Sequence, residues 1–271
     1  MSGEGSIALL PMYDFTWTAS ANDRLWAAIS ARLSEAGVEA PARLARGGDL
    51  AAQWRNPKLV FGQTCGYPYV TALKDAVALI AAPEYSFPGC EGASHRSFII
   101  CAASDPRREL HKFRGATAAL NTPDSNTGMN LFRAAIAPIA GGAPFFRALV
   151  VTGSHEASVE AVAEGRADLA SIDCVSFALL GRGRPDLIGR VAIVATSALS
   201  PGLPFIASAR LGRQTVEAAR NALFAELADP DLSEARAALG LKGARVAKPS
   251  DYDPVAEFER DAAAIGYPRL A

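Results

Sequence analysis

The segment Asn121-Thr-Pro-Asp-Ser-Asn-Thr-Gly-Met-Asn130 places two hydroxyls, Ser125 and Thr127, on either side of Asn126 and directly before a glycine. An apolar run ends there and helical spacing begins. A helix start carries backbone N–H groups with no carbonyl four residues back, and about half a positive charge. A phosphate-like or carboxylate group therefore binds there without needing a lysine. The same residues also suit an ordinary N-cap, with Asp124 or Ser125 satisfying the first turn. A second start of this kind occurs at Gly153-Ser-His-Glu-Ala-Ser158, where Ser154 fits the cap position. Both starts follow strands, so both fall at strand carboxyl ends, where open parallel sheets bind ligands. His155 then serves as a neutral donor or a cation, according to its surroundings.

Other polar residues stand at strand ends. Tyr13 and Asp14 close a first apolar run, and Gln63-Thr-Cys-Gly-Tyr67 closes another. Tyr13 and Tyr67 can lend hydroxyls and apolar walls to a ligand, or can be structural aromatics. Arg96 can pair with an anion or lie on the surface. Asp173 can accept from a cationic group of a ligand or cap the helix that follows it. Catalytic constellations are sparse. The three histidines (His95, His111, His155) form no His-x-x-x-His pair, the four cysteines form no Cys-x-x-Cys, and neither a Gly-x-Ser-x-Gly elbow nor a phosphate-binding Walker loop occurs. No metal site, cofactor or catalytic residue is expected. Cys65 shows no neighbouring base that would make it a nucleophile.

Short apolar runs alternate with amphipathic stretches of helical length, the pattern of a mostly parallel sheet with crossover helices. Strands are predicted over residues 7–12, 59–63, 76–82, 97–102, 115–121, 147–151, 168–172 and 191–195. Helices are predicted over 22–36, 127–140, 154–163, 213–227, 232–239 and 254–264, with a short one ending at 180. Polar, proline-containing breaks at 103–111 and 196–204 read as two crossings between lobes. The division is then residues 1–105 with 203–271 as a discontinuous first lobe, and 106–202 as the second. Two crossings make a hinge, and such a pair of lobes closes around a ligand.

Composition sets the outer limits. Half of the 271 residues are hydrophobic and a fifth are charged, as in ordinary globular chains. The formal charge of -1 and the absence of basic runs disfavour nucleic acid as a partner. No apolar run approaches the roughly 18 residues of a membrane span. Met1 to Gly5 is polar and 7–12 is too short for a signal core, so the expectation is a cytoplasmic protein, or a periplasmic one whose leader has been removed. Cys101 and Cys174 sit in apolar runs, as buried thiols do. Cys65 and Cys90 lie in glycine-containing loops and are open to pairing as a disulfide.

Arg114-Gly-Ala-Thr-Ala-Ala-Leu-Asn121, Ser125-Asn-Thr-Gly128, Phe145-Phe146, Thr152-Gly-Ser-His155, Ser158-Val-Glu-Ala-Val-Ala-Glu-Gly165, Ala167-Asp168 and Ile172-Asp173 together resemble the phosphonate-binding (PhnD-like) substrate-binding proteins of ABC transporters. The resemblance covers residues 112–206 most strongly. It is looser in the first lobe, at Gln63-Thr-Cys-Gly-Tyr-Pro68 and Gly89-Cys-Glu-Gly92. It implies the two-lobed type II periplasmic-binding-protein fold, a small anionic or zwitterionic ligand and a transporter permease as partner. In that family a Ser-Thr-Ser-Gly loop at a helix start holds the phosphonate, a histidine after Gly-Ser assists, and tyrosines of the other lobe complete the shell. Carried over, these roles fall on Ser125, Asn126, Thr127 and His155, with Tyr13 and Tyr67 as the tyrosines. Asn126 stands where the family has a hydroxyl. Asp173 falls near the carboxylates that meet a ligand amino group. The alternative is a cytoplasmic enzyme or sensor on the same fold, with Asp14, His155 and Asp173 as its acid and base.

Overall fold

The computed structural model describes residues 5–271. The polar start at residues 1–4, on which part of the leader reading rests, lies outside the described residues. Twelve strands are described: β1 Ile7–Leu9, β2 Leu59–Gln63, β3 Val77–Tyr85, β4 Ser94–His95, β5 Ser97–Ala102, β6 Thr117–Leu120, β7 Ala148–Val151, β8 Leu169–Asp173, β9 Val191–Thr196, β10 Ser200–Pro201, β11 Phe205–Ser208 and β12 Leu241–Arg245. The chain forms two compact units, residues 1–86 with 202–251 and residues 87–201 with 252–271.

The first unit is built on a five-stranded sheet in the order β1-β2-β11-β3-β12. β2 is apolar up to its terminal Gln63 and buried along its whole length, as a central strand covered on both faces must be. The Ala19–Glu35 helix presents Leu25, Trp26, Ile29 and Leu33 to the core, and its chain turns away at Gly37, whose φ of 77° is left-handed. Trp26 donates its indole N–H to the Pro41 carbonyl at 3.0 Å, which satisfies the one polar atom of a fully buried side chain. The Gly212–Ala228 helix adds Val216, Ala219 and Leu223 to the same cluster.

The second unit holds a five-stranded sheet in the order β7-β6-β8-β5-β9, and a two-stranded ribbon of β4 and β10. β6, β7 and β8 run parallel, while β5 is antiparallel to both β8 and β9. The Leu131–Ala140 helix sets Phe132, Ile136 and Ala140 against the sheet and ends at Gly141 in the left-handed region. Ala262, Tyr267 and Leu270 belong to the same apolar cluster.

Residues 87–105 and 252–271, expected in the first lobe, group with the second unit: β5 hydrogen-bonds between β8 and β9, and the Asp253–Ala264 helix packs on the Leu131–Ala140 helix. Packing of Ala262 beside Phe132 and Ile136 decides this, and nothing local to either segment signals it. The sheets are mixed, because β11 enters the first sheet antiparallel to its neighbours β2 and β3, and β12 pairs antiparallel with β3. The strands β11 and β12 were not anticipated; Leu-Lys-Gly-Ala-Arg lacks the apolar alternation of a strand, and β12 gains its conformation by pairing at a sheet edge. Finally, the sulfur beside Cys90 is that of Cys174, at 3.6 Å, and Cys90 forms no disulfide with Cys65. A non-reduced peptide map is expected to contain no Cys65–Cys90 cross-link, and its appearance would contradict this arrangement.

Candidate anion-binding site

The second unit gathers polar side chains at the carboxyl ends of β6, β7 and β8. Ser125 caps the turn after β6: its hydroxyl accepts from the Gly128 N–H at 2.9 Å, and its carbonyl accepts from the Asn130 N–H at 3.0 Å. The latter spans five residues, so the first turn at Asn126–Asn130 is wider than an α-helical one, a distortion frequent at functional sites. The carbonyl of Thr127 accepts from the hydroxyls of both Ser97 and Ser171, at 2.9 and 2.6 Å. This double anchor fastens the turn to β5 and β8. Gly128 has no substitute: a Cβ there would lie 2.8 Å from Cγ of Asn121 and closer still to its amide oxygen.

Asn126 is wholly buried, and its side-chain amide is engaged at both ends. It donates to the Ser200 hydroxyl at 2.8 Å and accepts from Asn130 at 3.0 Å. Asn130 is in turn held by Arg133 at 2.6 Å and by the Val255 carbonyl at 2.9 Å. The side chain of Asn126 thus positions the turn.

His155 opens the helix after β7, with Ser154 as its cap accepting from the Ala157 N–H at 3.0 Å. Gly153 before it has a φ of 90°, which turns the chain from strand to helix. Nε2 of His155 lies 3.0 Å from the Thr127 hydroxyl. Burial pushes the His155 pKa down to about 4, with Asp173 opposing and His95 adding to the shift. The ring is therefore neutral at pH 7, with one nitrogen a donor and the other an acceptor; the Thr127 hydroxyl, which can play either part, matches whichever tautomer is present.

Asp173 ends β8. One carboxylate oxygen accepts from the Ser176 N–H at 2.8 Å and so caps the next helix; the other meets Nδ1 of His95 at 2.8 Å. Both side chains are 2–3% exposed. Burial alone would deprotonate His95 and protonate Asp173, but their mutual attraction outweighs it: the His95 pKa is raised and that of Asp173 lowered. His95 is the residue that sequence reasoning missed. A short Ser94-His95-Arg96-Ser97 stretch before an apolar strand was its signal, together with the inward serines of otherwise apolar strands, Ser97 and Ser171.

Within this cluster Asn121 Oδ1, His95 Nε2 and His155 Nδ1 are enclosed and have no hydrogen-bond partner. Buried polar atoms are normally paired, so these three are open to a further hydrogen-bond partner. Of the seven candidate residues, the structure brings Ser125, Asn126, Thr127, His155 and Asp173 together on the second unit. Tyr13 and Tyr67 belong to the first unit. Tyr13 is buried edge-on against Tyr85, with ring centres 5.2 Å apart, and Tyr67 is half-buried after Gly66. Asp14 is ion-paired to Arg46 at 2.6 Å, and Arg96 pairs with Glu91.

Solved structures share this architecture. A binding-protein component of an ABC phosphonate transporter from Pseudomonas aeruginosa superposes with a TM-score of 0.79 at 15% identity, over 97% of this chain and 88% of that one. PhnD1 from Prochlorococcus marinus, in complex with methylphosphonate, gives 0.75 at 14% identity over 96% and 98%. A Xanthomonas citri protein bound to ATP gives 0.73 at 15% identity over 97% and 98%. At such identities the likeness establishes the fold, which is that of the type II periplasmic binding proteins. No curated protein matches by sequence. The family model for the periplasmic phosphonate substrate-binding proteins of ABC transporters matches residues 7–252, and the chain belongs to that family.

Two outcomes are expected from this geometry. Because the folded-state pKa of His155 lies below its usual 6.5, the unfolded chain takes up the proton first as pH falls. The native form is then penalised between pH 6.5 and about 4, by at most about 1.4 kcal/mol per pH unit. A His155→Gln variant escapes this penalty and should gain in melting temperature relative to wild type across that interval; a constant difference would place the ring in a different state. Gly128→Ala should displace Asn121 and lower both stability and ligand affinity, read by thermal melting and calorimetry.

Proposed function

We propose that the turn at Ser125, Asn126 and Thr127, with His155, binds the oxyanion of a small phosphonate- or phosphate-class ligand, and that the protein hands this ligand to a membrane permease from the periplasm. The observation that carries the reading is the Thr127–His155 contact at a capped, widened helix start, with unpartnered polar atoms enclosed beside it. Ser125 spends an acceptor on the cap and keeps its O–H to donate. First-turn N–H groups and the positive helix end supply the rest of the cradle. Asn126, in place of a hydroxyl, contributes its backbone, since its side chain is committed to Ser200 and Asn130.

Binding without chemistry fits the chain. Of the groups considered for acid and base, Asp14 is paired with Arg46, Asp173 with His95, and His155 holds the Thr127 hydroxyl. No helix among the described residues is long and apolar enough to cross a membrane, so delivery requires a separate permease.

Replacing Ser125 and Thr127 together by Ala should weaken methylphosphonate binding by about 1.5–3 kcal/mol for each hydrogen bond to charge that is lost. Calorimetric titration measures this, with circular dichroism confirming the fold. Unchanged affinity in the double variant would remove the loop from the site.

A further inference from the structure

We infer that Cys90 and Cys174 are a redox-active pair, a modification site at which an external disulfide oxidises the two thiols to a Cys90–Cys174 cross-link that staples the second unit around its polar cluster. Oxidation at this pair does not depend on which ligand the cluster takes.

Both cysteines belong to the second unit, and their sulfurs lie 3.6 Å apart. A disulfide holds its sulfurs about 2.0 Å apart, so closure asks for a movement of roughly 1.5 Å. Local structure already brings the two side chains together. Cys174 is the first residue of the Cys174–Gly183 helix, and its N–H is fixed to the Arg96 carbonyl at 3.1 Å. Cys90 lies on the loop between β3 and β4, turned back by its own N–H on the Phe87 carbonyl at 3.1 Å and by the Glu91–Ser94 pairing beyond it. Gly89 makes the approach possible. Its φ of 92° is left-handed, and a Cβ there would lie 2.8 Å from Cβ of Cys174, so the loop backbone rests directly on the Cys174 side chain. Phe87 of the same loop lies under the guanidinium of Arg182, near the other end of that helix, at 4.6 Å. The loop is thus held against the helix at two points.

Exposure sets the order of the chemistry. Cys174 is wholly buried, whereas Cys90 is half-buried. The Cys90 thiolate attacks one sulfur of an external disulfide, whose S–S bond breaks; the sulfur that leaves takes up the proton Cys90 has lost, and Cys90 becomes a mixed disulfide. The Cys174 sulfur then attacks that of Cys90, forms the new S–S bond and expels the second external thiol, which takes the proton of Cys174. Two electrons pass to the external disulfide. Contact with Cys90, and burial, keep the Cys174 thiol protonated, in keeping with its place as the second to react. Compartments outside the cytoplasm supply such disulfides. The cross-link closes residues 90–174 into one loop, which carries His95, Ser125, Thr127, His155 and Asp173. Closing so long a loop restricts the unfolded chain and so favours the folded one.

The test treats the reduced, full-length protein with oxidised glutathione and follows thiols, cross-links and melting. Of the four thiols, those of Cys90 and Cys174 should disappear, and a non-reduced peptide map should show these two residues joined. The melting temperature should rise by about 5 °C or more, and dithiothreitol should reverse the change. Cys90→Ser, at the half-buried position, should abolish both the cross-link and the rise, whereas Cys65→Ser should leave both intact. Because a serine variant can lower stability by itself, the peptide map of oxidised wild type decides independently of any variant. Persistence of all four thiols, a Cys90 halted as its glutathione adduct, or a cross-link to any other cysteine overturns the inference. A Cys90–Cys174 link that leaves the melting temperature unchanged overturns the stapling.

Discussion

The carbonyl of Thr127 accepts two serine hydroxyls, from Ser97 on β5 and Ser171 on β8, and the site's geometry follows from that pair of bonds. A backbone carbonyl held from two strands cannot rotate, so the amides of the same turn are held in direction as well. The rest of the turn adapts to this constraint. Its first turn widens, Ser125 caps it, and Gly128 leaves room for the Asn121 side chain. The Arg133–Asn130–Asn126–Ser200 chain of hydrogen bonds then braces the turn from its other side. Rigid support of this kind matters because an anion cradle made from backbone dipoles works only if the dipoles cannot relax away from the charge.

Electrostatics within the cluster divide the histidines. Burial pushes the His155 pKa down to about 4, whereas direct contact with Asp173 raises that of His95. A buried ion pair such as His95–Asp173 gains little over apolar packing, since desolvation offsets the attraction. Its value lies in orientation: Asp173 fixes the ring while also capping the following helix, which ties His95 directly to the framework.

Periodicity was enough to locate most elements. β2 and β5 fall on the predicted limits, and the helices at 154–163 and 213–227 are displaced by a residue or so, because apolar spacing and caps are local properties. The turn at Ser125–Gly128 was legible for the same reason: hydroxyls, a glycine and a strand-to-helix transition are adjacent in sequence. His155 was legible through its place after Gly-Ser. β12 was not, since a polar edge strand owes its conformation to its neighbour. His95 was not, since its partner Asp173 lies far along the chain and only the β5–β8 pairing brings them together.

The sequence by itself determined the α/β class, the order of most strands and helices, the family, and the capped strand-to-helix turn at Ser125–Gly128, all of which rest on local pattern or on motif. Tertiary structure alone decided which unit β5 and the Asp253–Ala264 helix join, which thiol neighbours Cys90, and that Asn126 faces inward to Ser200. It alone paired His95 with Asp173. Those outcomes depend on contacts between residues distant in the chain, and such contacts are set by packing and strand register, to which no local pattern refers.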